Sequence, residues 1–463
     1  MRRGHRPTIG PHLVRYGTAA DQKYLLGEFL DTYDTLVLNA TMVAHMPSAL
    51  ASFVTQRARN KPYLIDPQTH AFQHDVSNLE SSSDPSSGQI KRSVRRLLEA
   101  YGEPVLEIVA EQRQPLLPGD LDNSRLLRKF CGRVLDFQAN ALRSEAEATD
   151  ASKYYRYLEE KGKLGETHFG PALLVAPYFY LSASTFDDWL GVNLDCARMS
   201  RQLVKGTPLA LQVTLSKDVL ASSSMCDELV RSYGEKTKPE FILVWVDSFS
   251  EHDSGRSQLD RLRRLFTGLG EIAPVVNLYG GFFSTVLCRC GIVPNLAGVT
   301  HGLEYGEDRG VIPVGGGLPT AKYYYPSLHK RLPFRDALRA VRAVGGMHSP
   351  ASFHSEVCGC DECQQVVAAD PRVDFREYGR TKPISYKRGR ATIVRDYPLT
   401  ETKDHSVRHY MWCKADEFSR KLSVESVVAG LKRTGRKLSR VLGLQSVAHC
   451  RSWVNALQDA SRE

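Results

Sequence analysis

The sequence contains no run approaching the eighteen or so consecutive apolar residues of a membrane-spanning helix. Its opening, Met1-Arg2-Arg3-Gly4-His5-Arg6-Pro7, is basic with no apolar stretch behind it, so neither export nor membrane insertion is expected and the expected compartment is cytoplasmic. Cysteine is too dilute for a disulfide scaffold, with 10 in 463 residues, and in a reducing compartment these thiols read as free or metal-bound. No internal repeat at a fixed period is present. Acidic residues are the scarcer charge: 52 Asp plus Glu against 61 Lys plus Arg leave a net +9. That excess favours a polyanionic partner, although spread over so large a surface it would serve solubility equally well.

What is present is an ordinary globular balance, 42% hydrophobic and 24% charged, in a chain long enough to bury a large core. Short runs rich in β-branched and apolar residues recur, each followed by a polar turn and a longer amphipathic segment. Eight such runs read as strands: His12–Tyr16, Thr35–Asn39, Tyr63–Asp66, Ala172–Tyr180, Leu209–Leu215, Phe241–Asp247, Pro274–Tyr279 and Leu296–His301. Helices are expected between them, among others over Gln22–Leu30, Ile90–Tyr101, Phe186–Leu203, Ser224–Tyr233 and Gln258–Leu269. Eightfold alternation of this kind closes most simply as an α/β (β/α)8 barrel; an open doubly wound sheet is the alternative. The polar stretch Asn78–Ser87 reads as a loop after the third strand. The alternation stops near Gly310, with glycines at 315 to 317 and tyrosines at 323 to 325. The expected organisation is a barrel over 1–310, a connecting segment over 311–345, and a zinc-binding subdomain with basic C-terminal helices over 346–463.

The strongest local signal is Cys358-Gly359-Cys360-Asp361-Glu362-Cys363, because three thiolates so spaced can reach one tetrahedral zinc ion while Gly359 lets the backbone turn tightly. The segment Asp404-His405-Ser406-Val407-Arg408-His409-Tyr410 offers two histidines, either of which could complete a closed structural site. Cys288 and Cys290 have no comparable company and read as ordinary thiols.

A barrel concentrates its chemistry at the C-terminal ends of its strands. Asp66 ends its run and precedes Pro67-Gln68-Thr69-His70, which can hydrogen-bond a base; Asp247 ends the Phe241 run in the same way, Gln212 lies within the fifth run, and His301 ends the eighth. Two carboxylates over one pocket permit a nucleophile plus an acid/base, as retaining glycosyl transfer requires. An aspartate after a strand is also a common helix N-cap.

The three-cysteine cluster with its later His-x-x-Arg-x-Tyr segment, following eight strand–helix units, resembles the tRNA-guanine transglycosylase superfamily. Leu13–Thr18 looks like the family's first strand and Asn39-Ala40-Thr41 like the polar end of its second. Ile65-Asp66-Pro67-Gln68-Thr69-His70-Ala71-Phe72-Gln73 is similar to its Asp-Ser-Gly-Gly-Phe-Gln rim motif, with two residues more. The resemblance implies a modified (β/α)8 barrel carrying a zinc subdomain, puts a catalytic carboxylate on Asp66 and selects His405 as the fourth zinc ligand. The chain departs from the tRNA enzymes where their base-reading Asp-Glu-Cys gives way to Pro177-Tyr178-Phe179-Tyr180, and their Gly-Gly-Leu-Ala-Val-Gly-Glu to Val244–Glu251. Around Val299-Thr300-His301-Gly302-Leu303-Glu304-Tyr305-Gly306-Glu307 no aspartate aligns with the family's nucleophile. These departures look more like the DpdA-type DNA-guanine transglycosylases, which exchange a guanine in DNA for 7-cyano-7-deazaguanine.

That resemblance implies a pentosyltransferase working through a covalent glycosyl-enzyme intermediate, with no ATP or redox cofactor. Asp247 is then the expected nucleophile and Asp66 the expected acid/base, or the reverse. Tyr178 and Phe179, with Tyr180, could stack an extruded base or fill the core, while Gln212 could read the base edge and Gln68 and His301 contact it. Two basic segments could dock nucleic acid: Arg380, Lys382, Lys387, Arg388 and Arg390 in one, Lys432, Arg433, Arg436 and Lys437 at helical spacing in the other. Neither distinguishes DNA from tRNA. A tRNA-acting paralogue, a non-catalytic nucleic-acid-binding subunit working with partner proteins of a modification system, and a base-removing glycohydrolase are the competing readings.

Overall fold

The computed structural model describes residues 9–58, 61–81, 88–147, 153–154, 157, 160–161, 170–303, 307–312, 320–388 and 391–462. Several sequence features therefore lie partly or wholly outside the described residues: the basic opening Met1–Pro7, the 82–87 part of the polar loop, Glu304–Gly306, the glycines at 315 to 317, and Arg390. The chain divides into two compact units. The first comprises Met1–Phe249, Arg261–Gly280 and Val293–Val314, and the second Ser250–Asp260, Gly281–Ile292 and Gly315–Glu463.

The first unit is built on eight parallel strands: β1 (His12–Tyr16), β2 (Thr35–Asn39), β3 (Tyr63–Asp66), β4 (Leu174–Val175), β5 (Leu209–Leu215), β6 (Phe241–Val246), β7 (Val275–Asn277) and β8 (Leu296–Gly302). Their spatial order is β3-β2-β1-β8-β7-β6-β5-β4, all joined in parallel. This is the cyclic order of a barrel, without the reversal that an open doubly wound sheet requires. The Ala172 N–H donates to the Tyr63 carbonyl at 2.8 Å, leaving the ring nearly closed between β3 and β4.

The fourth run is mostly not strand. Pro177 has no N–H to give a ladder, and the Gln138 side chain, projecting from the helix Ser124–Glu147, takes both backbone groups of Val175 at 2.8 Å. Only Leu174–Val175 and the short Tyr180–Leu181 extension beside β5 are paired. The expected helix over Gln22–Leu30 is likewise replaced, by two 3₁₀ turns, Ala19–Tyr24 and Gly27–Thr32. Gly27 opens the second of them at φ +61°, which a continuing helix cannot accommodate. The helices Arg92–Tyr101, Phe186–Leu203, Ser223–Lys236 and Arg256–Gly270 form close to their expected places.

Strand pairing fixes which side chains point into the barrel, because alternate residues face opposite ways and directly paired residues share a face. Arg15 pairs with Val37, Val37 with Leu64, Asn39 with Asp66, Leu13 with Thr300, and Gln212 with Leu243. Leu13, Val37, Leu64, Val175, Ala210, Leu243 and Val276 form one buried apolar cluster, the lower packing of the interior. Arg15, Asn39, Asp66, Gln212, Thr214 and Trp245 follow on the same face, so the interior turns polar toward the C-terminal ends.

The second unit contains the antiparallel pair Lys322–Tyr325 with Lys330–Pro333, the helices Phe334–Val344, Thr400–Ser419, Val424–Leu442 and Ala448–Ala460, and a two-stranded ribbon, Thr381–Arg388 with Ala391–Pro398. Tyr323, Tyr324 and Tyr325 are all buried and anchor its core. No helix among the described residues is long and apolar enough to cross a membrane.

Candidate active site and metal centre

Asp66 ends β3 and is buried, at 1% exposure. Both of its oxygens are engaged. Oδ2 accepts from the Arg15 guanidinium at 3.1 and 3.2 Å, and Oδ1 from the Tyr178 hydroxyl at 2.6 Å and the Gln68 N–H at 3.0 Å. Arg15 also donates to the Asn39 side-chain oxygen at 2.6 Å and lies over the Tyr279 ring, 4.7 Å from its centroid. Burial would push the Asp66 carboxyl up; the Arg15 charge, with help from His70 and the two hydrogen bonds, outweighs burial and holds it below its ordinary range. The carboxylate is therefore an anion at neutral pH.

Around this pair the barrel interior carries buried polar atoms without hydrogen-bond partners among the described residues: Arg15 Nε, His70 Nδ1, Gln212 Oε1, the Tyr279 hydroxyl and Thr300 Oγ1. Buried polar groups are normally paired, and a set of unpaired ones facing one interior is what a polar ligand or ordered water would satisfy.

Asp247, the first residue after β6, is half-buried at the rim. Its Oδ2 accepts from the Tyr180 hydroxyl at 3.1 Å, and its Oδ1 from the Ser248 hydroxyl at 2.9 Å and the Val311 N–H at 3.0 Å. The segment after β8 closes over this part of the rim, the Arg309 carbonyl accepting from the Trp245 indole at 3.1 Å and from the Ser248 N–H at 2.9 Å.

The other residues expected here divide by the direction of their side chains. Tyr178 hydrogen-bonds the carboxylate and stacks on His70, ring centroids 5.3 Å apart, rather than presenting a free face to a base. Phe179 points the opposite way and stacks on Trp189 at 4.5 Å, so it belongs to the packing against the helix Phe186–Leu203. His301 pairs with Val14, placing it on the outer face of the barrel, where its Nε2 lies 2.7 Å from His12 Nε2; it cannot contact a ligand held inside. Gln212 faces inward as expected. Gln68 adopts a left-handed conformation at φ +55° and accepts from Thr41 N–H and hydroxyl at 3.1 and 2.8 Å, bracing the turn that follows Asp66. Sequence reasoning passed over Arg15 and Tyr279, and took His70 only as one of the groups after Asp66 able to hydrogen-bond a base. A lone arginine in the otherwise apolar run Leu13–Tyr16 was the available signal, because a buried guanidinium needs a carboxylate.

His70 is buried between Tyr178 and Trp245, and burial holds it down at about 4, with the Asp66 charge opposing the shift. The unfolded chain takes up this proton near the ordinary 6.5 and the folded chain only near 4. Between those values the unfolded state binds more protons, so stability falls as pH falls, by roughly 3 kcal/mol from this one group. Thermal melts across pH 7 to 4 are expected to show a shallower decline for His70→Phe than for the parent; parallel curves would contradict it. Asp66 does not confuse this window, since a depressed carboxyl loses its contribution only at lower pH.

In the second unit, Cys358, Cys360, Cys363 and His409 bring their donor atoms within 4.8 Å of one another and can hold a metal ion. His409 Nδ1 lies 3.3 Å from both Cys360 Sγ and Cys363 Sγ and 3.9 Å from Cys358 Sγ. Ligands on one tetrahedral ion at ordinary metal–sulfur and metal–nitrogen distances are about 3.5–3.8 Å apart, so the donor set fits. The ring's other nitrogen, Nε2, is 2.7 Å from the Tyr324 carbonyl, which leaves Nδ1 free to ligate. Tyr323 and Tyr378 hydroxyls approach Cys363 Sγ at 3.3 and 3.5 Å. A side chain at Gly359 would bring its Cβ 3.2 Å from the His354 carbonyl, so the tight turn leaves little room for one.

Of the two histidines, His409 is therefore the one placed to complete the cluster, and the choice of His405 is corrected. Both lie on the helix Thr400–Ser419, but His405 is one turn nearer its start and is engaged by Glu362, Nδ1 to Oε1 2.6 Å. The same stripe continues to Cys413, also missed from sequence, whose Sγ lies 3.8 Å from Cys358 Sγ and 3.6 Å from His409 Nδ1.

The basic residues are placed as two surfaces. Arg380, paired with Glu377 at 3.1 Å, and Lys382 are exposed at the base of the ribbon. Lys387 and Arg388 lie on its first strand by backbone, and Arg390 is outside the described residues. Lys432, Arg433, Arg436 and Lys437 are all exposed on the helix Val424–Leu442. No protein-family model and no curated protein matches this chain.

Proposed function

We propose that this protein is a DNA-guanine transglycosylase that exchanges a guanine base in DNA for a 7-deazaguanine, 7-cyano-7-deazaguanine, with a structural zinc ion in the three-cysteine, one-histidine site. The observation that carries the reading is the ionised Asp66 held by Arg15 and Tyr178 inside a parallel barrel, surrounded by unpaired polar atoms. In this reading Asp66 stays an anion and accepts from the N–H edge of the base in place of the Tyr178 hydroxyl, because a carboxyl held below its ordinary range cannot serve as a proton donor at neutral pH. Asp247, which is reached from the rim, attacks C1′ of the target nucleoside. The C1′–N9 bond breaks and guanine leaves with that electron pair and takes up a proton; the incoming deazaguanine then gives up a proton and displaces the carboxylate from C1′. The basic ribbon and the basic face of Val424–Leu442 supply the phosphate contacts that a base-extruding enzyme needs.

The saturation of Asp66 by Arg15 and Tyr178 also favours a second reading, a non-catalytic barrel that serves as a nucleic-acid-binding subunit. Labelled 7-cyano-7-deazaguanine offered with duplex DNA, and in parallel with unmodified tRNA, separates these. Label in DNA that is lost by at least about a thousandfold in Asp247→Ala supports the exchange reading and the nucleophile together. Label in tRNA alone moves the chain to the RNA-acting branch. No label in either, with or without cell extract, leaves the binding subunit.

A further inference from the structure

The second unit holds a cavity of about 690 Å³ that the proposed chemistry does not use. That volume lies in the range of small-molecule sites, roughly 300–1,000 Å³. Its wall carries four cations, Arg420, Lys421, Arg433 and Lys437, against one carboxylate, Glu356. Arg420 is paired with Asp416 at 3.4 Å and Lys437 with Glu356 at 3.5 Å, both exposed pairs of little strength, while Lys421 and Arg433 have no ion-pair partner among the described residues. Arg433 and Lys437 stand one helical turn apart on the same face of Val424–Leu442, and the first turn of that helix, at Ser426 and Val427, also borders the space.

The same cavity is bordered by a buried, oriented imidazole. His329 is 8% exposed, lies flat on Phe282 with ring centroids 3.3 Å apart, and turns Nδ1 to the Glu417 carboxylate at 2.6 Å. Glu417 is itself fixed by Lys414 at 3.0 Å and by the Tyr324 hydroxyl. With Nδ1–H donated to Glu417, the remaining ring atom Nε2 is an acceptor, fitted to an O–H or N–H of a ligand rather than to its anionic part. The wall thus offers two complementary features: guanidinium and ammonium groups for a multiply charged oxyanion, and a single held acceptor backed by an aromatic face.

We infer that this cavity is a binding site for a phosphate ester of nucleotide size, its phosphate held by Arg420, Lys421, Arg433 and Lys437 and a hydroxyl or N–H of its body by His329. The inference does not rest on the transglycosylase reading, although it shares Arg433 and Lys437 with the basic face to which that reading assigns phosphate contacts. The phosphate can come from a free nucleotide or from a nucleic-acid strand, and the test distinguishes these sources.

Isothermal titration of the full chain with ADP and with inorganic pyrophosphate is the measurement, with a single-stranded oligonucleotide as competitor. Saturable 1:1 binding of ADP is expected, weakened at least about tenfold in Arg433→Gln/Lys437→Gln. The double variant Lys432→Gln/Arg436→Gln, on the helix positions that do not border the cavity, is expected to bind ADP as the parent does. His329→Phe is expected to remove the advantage of ADP over pyrophosphate while pyrophosphate binding persists. ADP resistant to displacement by the oligonucleotide identifies a free nucleotide as the source; pyrophosphate and ADP both displaced by it identify the strand. Absence of saturable binding by both probes, or equal weakening by the two double variants, would overturn the site.

Discussion

Cys363→Ser is expected to strip the second unit of a bound metal ion and to unfold it. Cys363 is buried at the centre of the cluster, 3.3 Å from His409 Nδ1, with the Tyr323 and Tyr378 hydroxyls turned toward its sulfur. Those contacts hold the Cys363 sulfur beside two further sulfurs, the arrangement that a metal ion would stabilise. The cluster ties the turn 358–363 to the middle of Thr400–Ser419, elements far apart in sequence whose other links include His405 to Glu362. Structural zinc contributes about 10–16 kcal/mol in small metal-dependent folds, comparable with the whole stability of a domain. Elemental analysis should therefore find close to one metal ion per chain in the parent and almost none in the variant. The variant's thermal midpoint is expected to fall by more than about 10 °C. His405→Ala is the informative companion. If His409 is the ligand, that variant keeps its metal and loses only the contact to Glu362; loss of metal there with retention in His409→Ala would reverse the assignment.

Most of the strands, and where their ends fall, were legible in the sequence, because buried parallel strands read as short continuous apolar runs and their last residues fall at the rim. Asp66 and Asp247 were singled out that way. What sequence position alone did not supply was the direction of each side chain. In Tyr178-Phe179-Tyr180 the chemistry alternates with the chain: both tyrosine hydroxyls reach a carboxylate, and the phenylalanine between them packs on Trp189. His301 fails for the same reason, being one residue out of phase with the inward Thr300. On the metal side, Cys358, Cys360 and Cys363 are adjacent in sequence and could be read directly, whereas the fourth donor depends on which turn of a long helix meets them. The spacing of His405, His409, Cys413 and Glu417 every fourth residue marks one face of that helix, yet only the packed structure says that His409 is the one level with the sulfurs. Arg15 was visible as an isolated charge in an apolar strand, but its partner lies 51 residues away and needed the β1–β2–β3 order to be identified.

Breaking the Arg15–Asp66 pair is expected to be costly in a way that separates folding from chemistry. Both side chains are almost completely buried, at 3% and 1% exposure, so removing either leaves the other as an uncompensated charge in a water-poor interior. Loss of one partner of such a pair typically destabilises by about 3–5 kcal/mol, whereas replacing both by apolar groups of similar volume is near neutral. Arg15→Met and Asp66→Leu are each expected to lower the denaturation midpoint strongly, and the double variant to recover most of the loss, a coupling that a double-mutant cycle reads directly. Base exchange should be absent from all three, because the anion that accepts the base edge is gone or no longer held in place. A double variant as unstable as the singles would mean that the pair is not the electrostatic unit described. A stable double variant that still exchanged bases would leave the ion pair as a structural feature of the barrel and move the chemistry to Asp247 and the rim.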